Sequence, residues 1–144
     1  MTGACLLDVN VLIALVDPAH VQHEPAHDWF ARVGHRKWAT CAITQNGLLR
    51  ILGHPRYPNS PGNPGTLLPI LRSLCAHPGH AFWPDDVTIL DSGLIAGQHL
   101  TQPGQVTDTY LLALAVQHGG RLATFDRKLV AATVTHGADA LILI

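Results

Sequence analysis

Charge is scarce in this chain: Asp, Glu, Lys and Arg make up 13% of its 144 residues against 47% hydrophobic, and the formal net charge is −1. A balance this sparse excludes a solvated, disordered chain, and it excludes the overall basic field that drives bulk nucleic-acid binding. Any contact with a polyanion must be local. Glutamate is almost missing. Nine of the ten acidic residues are Asp and the only Glu is Glu24, so helix surfaces are not built from Glu–Lys pairs and each aspartate can be weighed singly. Cysteine is limited to Cys5, Cys41 and Cys75. This odd, scattered trio has neither disulfide nor metal-ligand spacing and reads as reduced core thiols of a cytoplasmic protein. Also lacking is any apolar run near the ~20 residues that cross a bilayer, and the opening MTGACLLDVN meets Asp8 before a secretory segment can develop. The expectation is one soluble domain over residues 1–144, a length sufficient for one core.

What is present is an alternation of short strands and helices. Residues 4–7 read as a buried strand ending at Asp8, and 11–16 as an apolar helix stopped by Asp17 and Pro18. Ala26, Trp29, Phe30 and Val33 recur at helical spacing and predict an amphipathic helix over 25–33, closed by Gly34. Residues 38–43 read as a strand, Thr44 as an N-cap and 45–52 as a helix ended by Gly53. Four prolines and two glycines within 54–65 predict a mobile loop without regular structure. A helix over 67–76 takes Pro69 in its first turn, and 81–83 reads as a short strand. Val106 and Thr107 open the clearest helix, 108–118, capped by Gly119 and Gly120. Residues 121–125 then read as a strand ending at Asp126, 127–132 as a short helix and 140–144 as a terminal strand. This alternation predicts a three-layer α/β/α fold with a central, mainly parallel sheet, an architecture that binds ligands beyond the carboxyl ends of its strands.

Asp8 and Asp126 each end an apolar strand at that edge. Taken singly, either is most simply a turn or helix cap, and Asp108 is most simply a favourable charge on the first turn of its helix. Jointly they say more. Two strand ends and a helix N-terminus can converge on one edge, and three converging carboxylates repel one another unless divalent cations neutralise them. Such all-oxygen donors suit Mg²⁺ or Mn²⁺ rather than zinc.

The segments LLDVNVLIAL (6–15), AITQNGLLRIL (42–52), FWPDDV (82–87) and VTDTYLLALAVQHGGRLATFDRKL (106–129) resemble PIN-domain ribonucleases, and within them the VapC toxins of toxin–antitoxin operons. The resemblance spans essentially the whole chain. It is most specific in the last segment, with its 18-residue step from Asp108 to Asp126. It implies a metal-dependent endoribonuclease acting on structured RNA such as tRNA or rRNA and leaving 5′-phosphate and 3′-hydroxyl ends. Asp8, Asp108 and Asp126 would be the ligands of Mg²⁺ or Mn²⁺, with Asn10 and Thr107 in support. The implied partners are a small VapB-like antitoxin that masks the cleft and a second copy of the chain in a homodimer. Where the family usually has Glu, this chain has Gln45, whose amide keeps an oxygen donor but removes a negative charge. Weakened metal binding is the expected consequence. A feeble PIN protein that binds RNA or antitoxin without efficient cleavage is therefore the alternative reading.

His23, Glu24 and His27 match the H-E-x-x-H pattern of zinc metallopeptidases. Pro25 confines the motif to a first helical turn, His35 stands outside metzincin spacing, and ten histidines make chance matches easy, so this is a remote alternative. Asp85, Asp86 and Asp91 read as turn or cap residues, Asp91 also as a candidate support for the site. Arg50, and Arg127 beside Lys128, are solvated cations or, near an acidic edge, holders of RNA phosphates.

Overall fold

The buried triplet Cys5–Leu7 forms β1, the middle strand of a five-stranded sheet; the structure, a computed structural model, describes residues 3–144. Apolar residues on both faces are what a fully covered parallel strand requires. β1 pairs in parallel with β2 (Trp38–Cys41) on one side and β4 (Arg121–Thr124) on the other. β3 (His80–Trp83) and β5 (Leu141–Leu143) form the edges, also in parallel, giving the order β3-β2-β1-β4-β5. Leu6 lies level with Ala39 and Leu122, so the carboxyl ends of the three central strands finish on one edge.

Successive strand residues face opposite sides. Cys5, Leu7, Trp38 and Ala123 pack with α1 (Val9–Val16), α2 (His23–Arg32), α3 (Ala42–Leu52) and α4 (Pro64–Cys75). Leu6, Ala39, Cys41 and Leu122 pack with α5 (Val106–Gln117) and the segments around it. The expected three layers are present. α5 buries every residue from Leu111 to Ala115 and ends at Gly119, whose φ of 66° suits glycine. At Gly120 a Cβ would collide with the Ala4 carbonyl, so the glycine pair that stops the helix also lets β4 dock on β1.

Several boundaries differ from the sequence pattern, each for a local reason. α2 starts at His23, because Pro25 falls in the first turn, where a missing N–H has no helical partner to lose. Residues 42 and 43 belong to α3 rather than β2. Cys41 is the N-cap in place of Thr44, and the Thr44 hydroxyl accepts the Cys41 N–H at 3.0 Å. α4 starts at Pro64, with Asn63 as cap accepting the Thr66 N–H at 2.9 Å, which moves Pro69 out of the first turn. The proline-rich loop is irregular but held rather than loose: the Tyr57 hydroxyl donates to Asp17 at 2.5 Å, and the Ser60 hydroxyl to the Leu52 carbonyl at 2.6 Å. The helix expected over 127–132 does not form. Asp126 instead accepts the Lys128 N–H at 2.9 Å in a turn, local competition that aspartate offers to a nascent helix, and a short 3₁₀ turn follows at Ala131–Thr133.

Cys5 and Cys41 are buried and Cys75 half-buried, all as free thiols. Among the described residues no helix is long and apolar enough to cross a membrane. Asp91 makes the expected turn, accepting the Gly93 N–H. Asp85 and Asp86 tie their loop to α5, through the Tyr110 hydroxyl at 3.1 Å and His118 Nε2 at 3.0 Å.

Candidate active site

Asp8 is the residue at which β1 becomes α1, and it is only 7% exposed. Its carboxylate accepts the Val9 N–H at 2.8 Å, as a helix cap would, but also the Thr124 hydroxyl at 2.8 Å, from the end of β4. A cap alone needs no such partner. Asn10, two residues on, donates to Thr124 Oγ1 at 3.1 Å and accepts the Phe125 N–H at 3.2 Å. Thr124 Oγ1 also accepts the Asp126 N–H at 3.0 Å. One hydroxyl thus donates once and accepts twice, joining the two strand ends that carry Asp8 and Asp126. Sequence reasoning missed Thr124. Its signal was present in the TFD triplet, as a Thr two residues before a strand-end aspartate.

Asp108 completes the group from the first turn of α5, half-buried. Burial raises its carboxyl to about 6, and the charges of Asp8 and Asp126 add to the rise. Burial likewise pushes the Asp8 carboxyl up, Asp126 adding to it while the bonds from Thr124 and Val9 oppose it. The fold therefore brings Asp8, Asp108 and Asp126 within electrostatic reach of one another. Among the described residues the ion pairs are Arg32–Asp28 and His118–Asp86, and neither offsets this charge. Also among the described residues, no three His, Cys, Asp or Glu side chains already close around a point where an ion could sit. Asp8 is anchored by its bonds and Asp126 by the Lys128 N–H, while both Asp108 and Asp126 are partly exposed. The donor chemistry fits a hard divalent cation, which would remove the repulsion the structure shows.

That repulsion has a measurable sign. Carboxyls with raised pKa favour the protonated folded state, so metal-free protein should gain stability as pH falls from about 6 toward the ordinary Asp value near 3.8. Asp108→Asn should raise the melting temperature in EDTA at pH 7.5, and its advantage over wild type should shrink progressively below pH 6. An advantage of the same size at pH 4.5 and 7.5 would show that Asp108 is not repelled by its neighbours.

Thr107 and Arg127 are exposed beside Asp108 and Asp126 respectively. Arg50 is exposed in the last turn of α3, five residues and so about 7.5 Å of helix beyond Gln45. Gln45, in the first turns of α3, donates from Nε2 to Thr40 Oγ1 at 3.0 Å and so turns toward β2 and α4. His23 and His27 serve a different end of the molecule. Their Nδ1 and Nε2 lie 2.7 and 2.8 Å from the carbonyls of Ala14 and Leu15, capping the last turn of α1, with rings 4.3 Å apart. α1 starts at the carboxyl edge and runs away from it, so this pair is a helix cap remote from the aspartates.

A parallel five-stranded sheet with three aspartates gathered at its carboxyl edge is the frame of a PIN domain, and that family's description matches residues 5–134. The chain belongs to the PIN-domain family. Within it the chain is of the VapC type. It is 50% identical over 133 residues to Ribonuclease VapC44 of Mycobacterium tuberculosis (strain ATCC 25618 / H37Rv), covering 92% of each chain. It is 40% identical over 124 residues to Ribonuclease VapC39 of the same strain, covering 86% of this chain and 89% of the relative. Two solved structures share the fold. FitAcB from Neisseria gonorrhoeae has a TM-score of 0.62 at 20% identity, over 97% of this chain and 96% of that one. FitAB bound to the IR36 DNA fragment has a TM-score of 0.62 at 20% identity, over 96% and 94%.

Proposed function

We propose that this chain is the toxin of a type II toxin–antitoxin module, an endoribonuclease that cleaves structured RNA with the help of Mg²⁺ or Mn²⁺ and so inhibits translation and growth. The single observation that carries the reading is the junction at the carboxyl edge, where Thr124 binds Asp8 and the Asp126 backbone together while all three carboxylates repel. The ribonuclease names of the VapC relatives support it. In this reading Asp8, Asp108 and Asp126 hold the cation, and Asn10 and Thr124 keep Asp8 in place. When bound, the cation supplies positive charge against the phosphodiester and lowers the pKa of nearby water. Arg127, directly after Asp126, offers local positive charge to the RNA backbone in a chain with no overall basic field, and Arg50 extends that surface along α3. Gln45 contributes an uncharged amide at the same edge, and Thr107 an exposed hydroxyl beside Asp108. The partners are a VapB-like antitoxin and a second copy of the chain. The setting is the cytoplasm, and residues 1–144 act as one PIN domain.

The neutral amide at Gln45 favours one competing reading, a protein that binds RNA but cuts it feebly. Incubating purified protein with cellular RNA and sequencing the new 5′ ends separates the two. Cleavage should require Mg²⁺ or Mn²⁺, leave 5′-phosphates and survive a zinc-selective chelator, because the donors are carboxylates. RNA that stays intact with either metal, or activity restored by zinc alone, would overturn the proposal.

A further inference from the structure

A second feature touches the carboxyl edge without using the aspartates. Between α3 and α4 lies a cavity of about 440 Å³ lined by Gln45, Leu68, Leu71, Arg72, Cys75 and Ala76. Leu68, Leu71, Arg72 and Cys75 of α4 and its C-cap Ala76 fall at spacings of three and four, one face of the helix. It is open to solvent, with Leu68, Arg72 and Ala76 exposed and Leu71 buried at its base.

Its polar wall has a set direction. Thr40, fully buried, lies 2.7 Å from His80 Nε2 and accepts from Gln45 Nε2 at 3.0 Å. The Cys75 backbone also acts on the His80 ring, opposing the effect of burial. Whichever of Thr40 and His80 gives the proton in their bond, Thr40 Oγ1 keeps a lone pair to accept from the Gln45 amide. Burial lowers the His80 pKa and so keeps its ring neutral. The Cys75 thiol lies 4.0 Å from Thr40 Oγ1, beside the same amide. The bond to Thr40 therefore engages the amide nitrogen, and Oε1 is the group offered to a ligand. Arg72, exposed in the last turn of α4, adds a cation, and Leu68, Leu71 and Ala76 add apolar surface.

A ligand matching this wall is planar and apolar in its faces, carries N–H donors on one edge and has an anion beside it. We propose that the α3–α4 cavity takes an unpaired, amine-bearing base of the RNA strand, with Gln45 Oε1 accepting from the exocyclic amine and Arg72 holding the adjoining phosphate. Adenine, cytosine and guanine carry that amine, and uracil presents a carbonyl instead. Continuity supports the assignment. Gln45 follows the carboxyl end of β2, the neighbour of the strand that ends in Asp8, so the cavity starts one strand away from that aspartate. Gln45 is then a specificity residue, and Thr40 and His80 are positioning residues that act through it. The inference rests on the nuclease reading, but the pocket can be tested apart from cleavage.

Full-length protein in EDTA is titrated with AMP, CMP, GMP and UMP, followed by calorimetry and amide NMR. The three amine-bearing nucleotides should shift the signals of Gln45, Leu71, Arg72 and Cys75 and bind about tenfold tighter than UMP, the worth of one well-placed hydrogen bond. Arg72→Ala should weaken all four alike. Thr40→Val should abolish the preference over UMP, and Thr40→Ser should retain it. Equal binding of CMP and UMP by wild type, or shifts that avoid the cavity, would overturn the proposal. In RNA cleavage, Ala76→Trp should fill the cavity and erase a base preference next to the cut. If wild type cuts no RNA, the nuclease reading falls while the titration still judges the pocket. A concentration-dependent sedimentation shift lost in Ala76→Trp, with no nucleotide response, would assign the cavity to self-association instead.

Discussion

Asp8→Asn, Asp108→Asn and Asp126→Asn should each lower RNA cleavage at least ~100-fold, the scale set by losing several kcal/mol of metal-borne charge stabilisation. The substitution keeps the volume and one carbonyl oxygen, so local bonds persist. The Val9 N–H can still reach residue 8, and the Lys128 N–H residue 126. What is lost is negative charge at a site that has no competing cation. The three variants should differ in stability even as they agree in activity. Asp108→Asn relieves the burial of charge and the added repulsion that raise that carboxyl to about 6, and so stabilises the metal-free protein. Asp8→Asn gains less, because Thr124 and Val9 already stabilise the ionised form of that side chain. Cleavage rates, melting curves and growth on induced expression together make the test. Full toxicity in two of the three variants would remove these residues from the active site.

Thr124→Val should be the most damaging change outside the carboxylates. The hydroxyl is fully buried and serves three partners. Its loss leaves the Asp126 N–H without an acceptor, leaves the Asn10 amide only its longer bond to Asp8 at 3.5 Å, and takes one donor from Asp8. An unmade buried bond costs about 1–3 kcal/mol, so a loss of about 3 kcal/mol is expected for the set. Cleavage should fall ~10–100-fold, the usual effect of removing a group that orients metal ligands. The signature of a positioning role is a shifted Mg²⁺ requirement: more metal should recover part of the rate in Thr124→Val but none in Asp8→Asn. Thr124→Ser, which keeps the oxygen, should restore most of both properties. A Thr124→Val protein with wild-type metal dependence would reduce this residue to ordinary packing.

The strands and most helices were legible because their signals are local. Cys5–Leu7 and Arg121–Thr124 lie in the middle of a sheet covered on both faces, and such strands read as short apolar runs wherever they occur. Their final aspartates are legible for the same reason, since a charge that closes an apolar run marks the strand end, and Asp108 is marked by the helix it opens. Misreadings fell where local signals compete. Thr44 has the composition of an N-cap, yet the helix starts earlier because its hydroxyl works equally well as the third residue, bonding back to Cys41. The His23 and His27 spacing fits a metal motif and a carbonyl cap alike, and only the position of the α1 terminus separates them.

From its residues alone, then, the chain determined the alternation of elements, the parallel three-layer frame and the edge where three aspartates stand, because each depends on periodicity and chain breaks within a few positions. Tertiary structure decided what those aspartates are bonded to and which way Gln45 faces. Asp8 meets Thr124 across 116 residues, and Asn10 meets it across 114. Gln45 depends on Thr40, which is set in turn by His80, 40 residues further on. Bonds of that reach form only when β1, β2, β3 and β4 lie in one register, and register is set by the packing of all their faces at once rather than by any segment by itself.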